Sequence, residues 1–231
     1  MLTTCLKRII QQGIDMTSNA ILAVDPASCT GWVLFNIVDG EANILEYGAI
    51  EVDKTAESEG RRMISLRTQL EQVLNKLPQN PKHAHIESFF FNKRTCNGSE
   101  INVILRAAVY QLLAERRVPY TLHPPTHWKK FIGGSAVPRK TDIVKFGKAK
   151  ASKAYIVEAL AEKYGIHFPS HTRIDGRRLT FKTDISDAVG IGIYGMVCQT
   201  PNLRIMSHDS RDPVLNLPTS STTSADSAHT H

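Results

Sequence analysis

The stretch AHIESFFF, Ala84 to Phe91, decides how the rest of the chain is read. Ile86 and three consecutive phenylalanines mark a strand sunk in a protein interior, yet Glu87 lies among them and no basic residue follows until Lys93. Just upstream, Met63, Leu66, Leu70, Val73, Leu74 and Leu77 recur at helical intervals and Pro78 marks a stop, so the spacing predicts an amphipathic helix over Ser58–Leu77. A helix-length crossover leading into a strand implies parallel pairing, which puts AHIESFFF beside the first strand of the domain.

Working outward, Ala20–Val24 is a continuous apolar run stopped by Asp25-Pro26, the form of a strand buried on both faces. Gly31–Val38 reads as a second strand, and Asp39-Gly40 supplies the hairpin turn to a third over Asn43–Val52. Downstream, Ser99 is placed to cap a helix over Glu100–Arg117 that carries Ile101, Leu105, Ala108 and Leu112 on one face. Tyr120–His123 is a fifth strand closed by Pro124-Pro125, and a short helical turn follows around Trp128. Ser152–Tyr164, ended by Gly165, and Asp184–Val197 are the last two helices; Ile166–Lys182 between them is polar and irregular, with a turn at Asp175-Gly176. The order βββαβαβαα predicts an α/β domain with a mixed five-stranded sheet, three antiparallel strands and then parallel ones, flanked by helices. The domain is expected over residues 19–200, after an N-terminal extension (1–18) and before a Ser/Thr-rich disordered tail (201–231).

A chain of 231 residues, 42% hydrophobic, holds one full core and is too short for two generous domains. Its net charge of +6 favours a polyanionic partner. From Lys129 to Lys153 there are eight basic residues (Lys129, Lys130, Arg139, Lys140, Lys145, Lys148, Lys150 and Lys153) against one acid, Asp142, so the whole positive excess sits there. Such a run is either a solvated loop or a phosphate-binding surface. Four scattered cysteines indicate neither a zinc ribbon nor a disulfide framework, and no apolar run reaches the ~20 residues a bilayer span needs. A cytoplasmic protein is expected, with the amphipathic, basic residues 1–15 leaving organellar targeting open and Met16 an alternative start.

Four acids stand in apolar surroundings: Asp25 at the end of the first strand, Glu87 in the fourth, and Asp184 and Asp187 opening the last helix. A buried carboxylate costs several kcal/mol unless neutralised, and one divalent cation neutralises several at once. Adjacent strands lie ~4.8 Å apart, and helical residues three apart share a face, so if the first and fourth strands pair the four could converge on one spot on the sheet. Oxygen-only ligands select Mg²⁺ or Mn²⁺ over Zn²⁺, and two such ions about 4 Å apart serve in-line phosphoryl displacement. Each acid also has a plainer reading: Asp25 as a turn residue before proline, Asp184 as a helix cap, Glu87 as the partner of a lysine.

AVDPASCTGWVLF, HIESFFF, KKFIGGSA and DISDAVGIGIYG, in that order, resemble the successive motifs of the RuvC-type Holliday junction resolvases of the RNase H-like nuclease superfamily, from about Ala20 to Tyr194. The resemblance implies an RNase H-like fold. It implies that Asp25, Glu87, Asp184 and Asp187 are the catalytic acids and hold two Mg²⁺ ions, with Mn²⁺ able to substitute. It further implies a homodimer, contacting through the Glu100–Arg117 helix, that nicks four-way DNA junctions in symmetric pairs. Two departures stand out: Ala27 replaces the glycine usual after Pro26, and Ile185-Ser186 replaces a histidine often present in the final motif. Neither removes a carboxylate.

By the same resemblance Lys129 and Lys153 lie near the scissile phosphate, Phe90 stacks on bases at the opened junction centre, and residues 136–150 are an insertion. Lys130, Lys148 and Lys150 would add phosphate contacts. Phe90 and its neighbours could equally be core. Competing readings keep the fold but change the substrate to other branched DNA or an RNA–DNA hybrid, or reduce the protein to a non-catalytic junction binder. An actin-like or sugar-kinase-like ATP site, suggested by DPASCTG, needs a second domain that this length cannot hold. GSAVPRKT has Arg139 where a phosphate loop needs glycine, and the prolines between His123 and His127 break the helical turn a zinc pair would need.

Overall fold

The computed structural model describes residues 19–52, 58–88, 99–168 and 181–209. Phe89, Phe90 and Phe91 and the turn at Asp175-Gly176 lie outside these, as do residues 1–18 and 210–231.

The domain opens with β1 (Ala20–Asp25), β2 (Cys29–Val38) and β3 (Glu41–Glu51), paired antiparallel in sequence order. Helix α1 (Glu59–Leu74) carries the chain back to β4 (His83–Glu87), which pairs parallel with β1. Helix α2 (Ser99–Glu115) leads to β5 (Tyr120–His123), parallel to β4. Then come α3 (Pro125–Gly133), α4 (Lys140–Phe146), α5 (Lys148–Tyr164), the two-residue β6 (Ile166–His167) and the long α6 (Phe181–Gln199). Two short strands follow, β7 (Arg204–Ile205) and β8 (His208–Asp209).

Among the described residues the main sheet therefore has six strands in the order β5-β4-β1-β2-β3-β7, one more than the sequence predicts. The extra strand comes from residues expected to begin the disordered tail. Leu203 is buried, and Arg204 and Ile205 pair with Glu41 and Ala42, so backbone pairing at an otherwise open edge organises a segment whose composition reads as loop. Beyond it β8 pairs with β6 in a separate two-stranded sheet. Helix α4 is likewise not predicted by the sequence: it occupies the expected insertion, buries none of its residues, and so carries no apolar periodicity to reveal it. Because α5 begins at Lys148, Lys153 lies inside that helix instead of opening it.

The sheet is packed on both faces, which is why β1 is apolar at every position before its last. Leu22 and Val24 join Trp32, Leu34, Leu66, Leu70, Leu105 and Leu112 in a core beneath α1 and α2. Ile21 and Ala23 face the other way, with Val33, Phe35, Trp128, Ile156, Ala188 and Ile191, beneath α3, α5 and α6. That alternation is the period-2 geometry of a strand. No helix among the described residues is long and apolar enough to cross a membrane.

Candidate active site

β1 and β4 end together. Their register runs from Ile21 opposite His83 to Val24 opposite Ile86, and the next residue on each strand is an acid, Asp25 and Glu87. Asp25 in turn pairs with Gly31 across β2. Helix α6 lies over β1, β2 and β4 at this end, and its backbone presses on the sheet where Gly31 stands: a Cβ there would sit 2.0 Å from the Asp184 carbonyl oxygen. Only a residue without a side chain permits that approach, which brings the first turn of α6 against the partner of Asp25. Asp184 and Asp187 are three apart on that helix and both are buried, as is Asp25.

The fourth acid is held from two sides. Trp128 of α3 donates its indole N–H to Glu87 Oε1 at 3.2 Å. Arg106 of α2 donates through Nε to the Glu87 carbonyl at 3.2 Å, through Nη2 to Oε2 at 3.5 Å, and through Nη1 to the Asn102 carbonyl at 3.4 Å. Glu87 is thus neither the partner of a lysine alone nor an isolated charge. Burial holds its carboxyl above the usual range; the Lys129 charge opposes that, the Asp187 charge adds to it, and Arg106 and Trp128 oppose it again. The influence of Asp187 sets α6 and β4 at one electrostatic site. Asp187 also acts on Tyr155 of α5, whose hydroxyl is pushed up to about 12 by burial first and by Asp187 and Asp142 after it.

The sheet end gathers the four acids, but the side chains do not form a ligand shell: among the described residues no three His, Cys, Asp or Glu side chains are grouped closely enough to hold an ion as they stand. The donor chemistry nevertheless fits a hard divalent cation. All four groups offer carboxylate oxygen, three are buried, and the mutual repulsion felt between Glu87 and Asp187 is what a cation would relieve. Arg106 and Trp128 are the residues missed from sequence. An arginine inside the apolar run VILRAAV, 8% exposed here, was the available signal for the first; for the second, nothing distinguished a buried indole with a polar partner from ordinary core.

Of the expected DNA contacts, Lys129 is half-buried, with Nζ 5.0 Å from the Trp128 ring centroid and its charge acting on Glu87. Lys130 and Lys148 are exposed, and Lys150 and Lys153 fall on α5. Phe90 lies outside the described residues. His123 hydrogen-bonds to His85 (Nε2 to Nδ1, 3.0 Å). Burial chiefly lowers both imidazoles, to about 4 for His123 and about 3 for His85.

No protein-family model matches the chain, and no curated protein matches it in sequence. Solved structures do match in fold. A RuvC structure from Thermus thermophilus superposes with a TM-score of 0.55 at 15% identity, covering 80% of this chain and 98% of that one. T. thermophilus RuvC in complex with Holliday junction substrate gives 0.52 at 13% identity, covering 81% and 99%. The yeast mitochondrial Holliday junction resolvase Ydc2 gives 0.46 at 15%, covering 85% of each chain. The antiparallel β1–β3 meander, the parallel β4 and β5 added beside β1, and the helices on both faces are the RNase H-like fold of the RuvC structures.

Proposed function

We propose that this chain is a structure-selective DNA endonuclease that resolves four-way junctions by paired, symmetric nicks. The observation that carries the reading is the end of the sheet: Asp25 and Glu87 close two adjacent parallel strands, and a helix bearing Asp184 and Asp187 is pressed onto the same point through Gly31. The four acids would hold two Mg²⁺ ions, or Mn²⁺ in their place. Such ions supply Lewis-acid activation of the phosphodiester and of the water that attacks it.

The remaining work falls to the chain itself. Lys129, on α3 and with its charge acting on Glu87, would meet the scissile phosphate. Lys130 and Lys148, exposed toward solvent, would track the backbone on either side, joined by Lys150 and Lys153 of α5. Phe90, three residues beyond Glu87, would stack on a base at the junction centre. A homodimer would present two such sites to opposed strands. Its contact is expected on α2 and the edge strand β5, where Val103, Tyr120 and Leu122 are exposed and Tyr110 stacks on Tyr120 at 5.2 Å between ring centroids.

The test is incubation of a synthetic four-way junction with Mg²⁺, beside linear duplex, flap and RNA–DNA hybrid of the same sequence. Paired nicks in the junction alone support the reading. Equal rates on junction and linear duplex would return the protein to a general nuclease, and binding without nicking to a junction binder.

A further inference from the structure

Glu87 has both carboxylate oxygens and its own backbone carbonyl held by donors from two different helices. We propose that Arg106 and Trp128 form a clamp that sets the direction of the Glu87 carboxylate ahead of cation binding, so that both are positioning residues for loading of the metal site. The inference rests on the reading of the four acids as cation ligands.

The donors suit this role. A carboxylate offers about four lone-pair sites. The indole N–H takes one on Oε1 and the guanidinium one on Oε2, which leaves a site on each oxygen for a cation. Neither donor can change its protonation state to let go, since indole is a donor only and arginine stays charged. At 3.5 Å the Arg106–Glu87 contact is longer than the ~2.7–2.9 Å of a tight charge-assisted bond, so Arg106 steers the carboxylate without capturing it. Arg106 is itself anchored by the Asn102 and Glu87 carbonyls, and Trp128 by the far wall of the site. The indole lies against Gly190, one turn beyond Asp187 on α6, so tightly that a Cβ at Gly190 would sit 2.9 Å from Trp128 Cζ3. Trp128 therefore spans the site, touching Glu87 with its pyrrole edge and the aspartate helix with its benzo edge. Lys129, whose ammonium lies over the same ring, completes the cationic side.

The test is Mn²⁺ titration by calorimetry of the full chain without DNA, comparing the parent with Trp128→Phe, which deletes the donor, and Arg106→Gln, which deletes the charge. Gly190→Ala is the third arm, because it displaces the indole while leaving every donor in place. Each variant is expected to weaken Mn²⁺ binding by about 10-fold or more. The Mn²⁺ needed for half-maximal junction cleavage should rise by a like factor, the shortfall being recovered as Mn²⁺ is raised, and junction affinity in EDTA should not move. A melt in EDTA identifies any variant that fails to fold, and the arms approach Glu87 from opposite sides, so the surviving ones decide. Unchanged or tighter Mn²⁺ binding in the folded variants overturns the clamp while leaving the function intact. A parent that takes up no Mn²⁺ overturns both.

Discussion

The two charged regions of this molecule are built in opposite ways. The acids sit at the end of a sheet packed on both faces, their backbones fixed by strand register and by a helix in direct contact with the β1–β2 pair. The lysines ride on α3, α4 and α5, and α4 buries nothing, holding to its neighbour through the Lys145–Glu158 ion pair. A buried charge must be held by named partners, so each acid has one geometry and a large individual effect. An exposed charge acts through its field, which salt screens and neighbours share, so each lysine has a small effect and the group has the meaning.

The largest effect is expected at the acids. Asp184→Asn keeps the size and most hydrogen bonds of the side chain but removes a charge from the first turn of α6. Junction cleavage should fall on the order of 10³-fold, with junction binding in EDTA preserved or raised. Gel-based single-turnover rates and a binding titration on one preparation check both halves. If Asp184→Asn nicks as fast as the parent, the acid end is only structural and the contrast with the lysines disappears.

A second substitution attacks the register without touching a carboxylate. Gly31→Ala places a Cβ where the Asp184 carbonyl now lies, so α6 must lift from β2. Overpacking of this kind costs about 1–3 kcal/mol, measurable as a lower denaturant midpoint, and cleavage should fall further than stability alone explains. Activity retained at parental level would mean that the close seating of α6 does not matter to the chemistry.

How much of this is legible in the sequence follows the same divide. The Ala20–Val24 run, the Asp39-Gly40 turn and the helix ending before Pro78 carry their structure in local chemistry, and the sheet order of β4, β1, β2 and β3 follows from them. The acids are legible because a charge in an apolar run is costly enough to demand a reason. Arg106 is hidden by its setting, since an arginine on a helix is ordinarily a surface residue, and only the fold brings it over the end of β4 to Glu87. Trp128 is hidden because burial alone accounts for a tryptophan. The strands β7 and β8 escape because their stability comes from pairing with distant partners, Glu41 and Ala42 for one and Ile166 and His167 for the other, which no local pattern encodes.

Beneath the acids the paired histidines give a smaller, pH-dependent effect. One ring of the His85–His123 pair must donate and the other accept, and burial chiefly lowers both, to about 3 and about 4 from an ordinary 6.5. As pH falls through 6.5 the unfolded chain takes up these protons and the folded chain does not, so stability present above that pH declines, toward about 4 for the His123 part and about 3 for the His85 part. Denaturant midpoints should drop between pH 7 and 5, and the two imidazole Cε1–H resonances should hold their neutral shifts across that interval. A resonance titrating near 6.5 would show that the sheet tolerates a charge at this depth.

The smallest single-residue effects belong to the basic arm, and they are read from slope, not from rate. If Lys148 and Lys150 each neutralise a backbone phosphate, the double alanine variant should reduce the slope of log affinity against log salt by roughly 0.9 for each phosphate no longer neutralised. Cleavage at low salt, where the remaining lysines suffice, should change little. An unchanged slope would assign this part of the run to solvent and confine phosphate binding to Lys129 and its neighbours beside Glu87. The charged arm would then be a solubility device attached to the site, and the contrast between the two regions would narrow to one region that binds and one that does not.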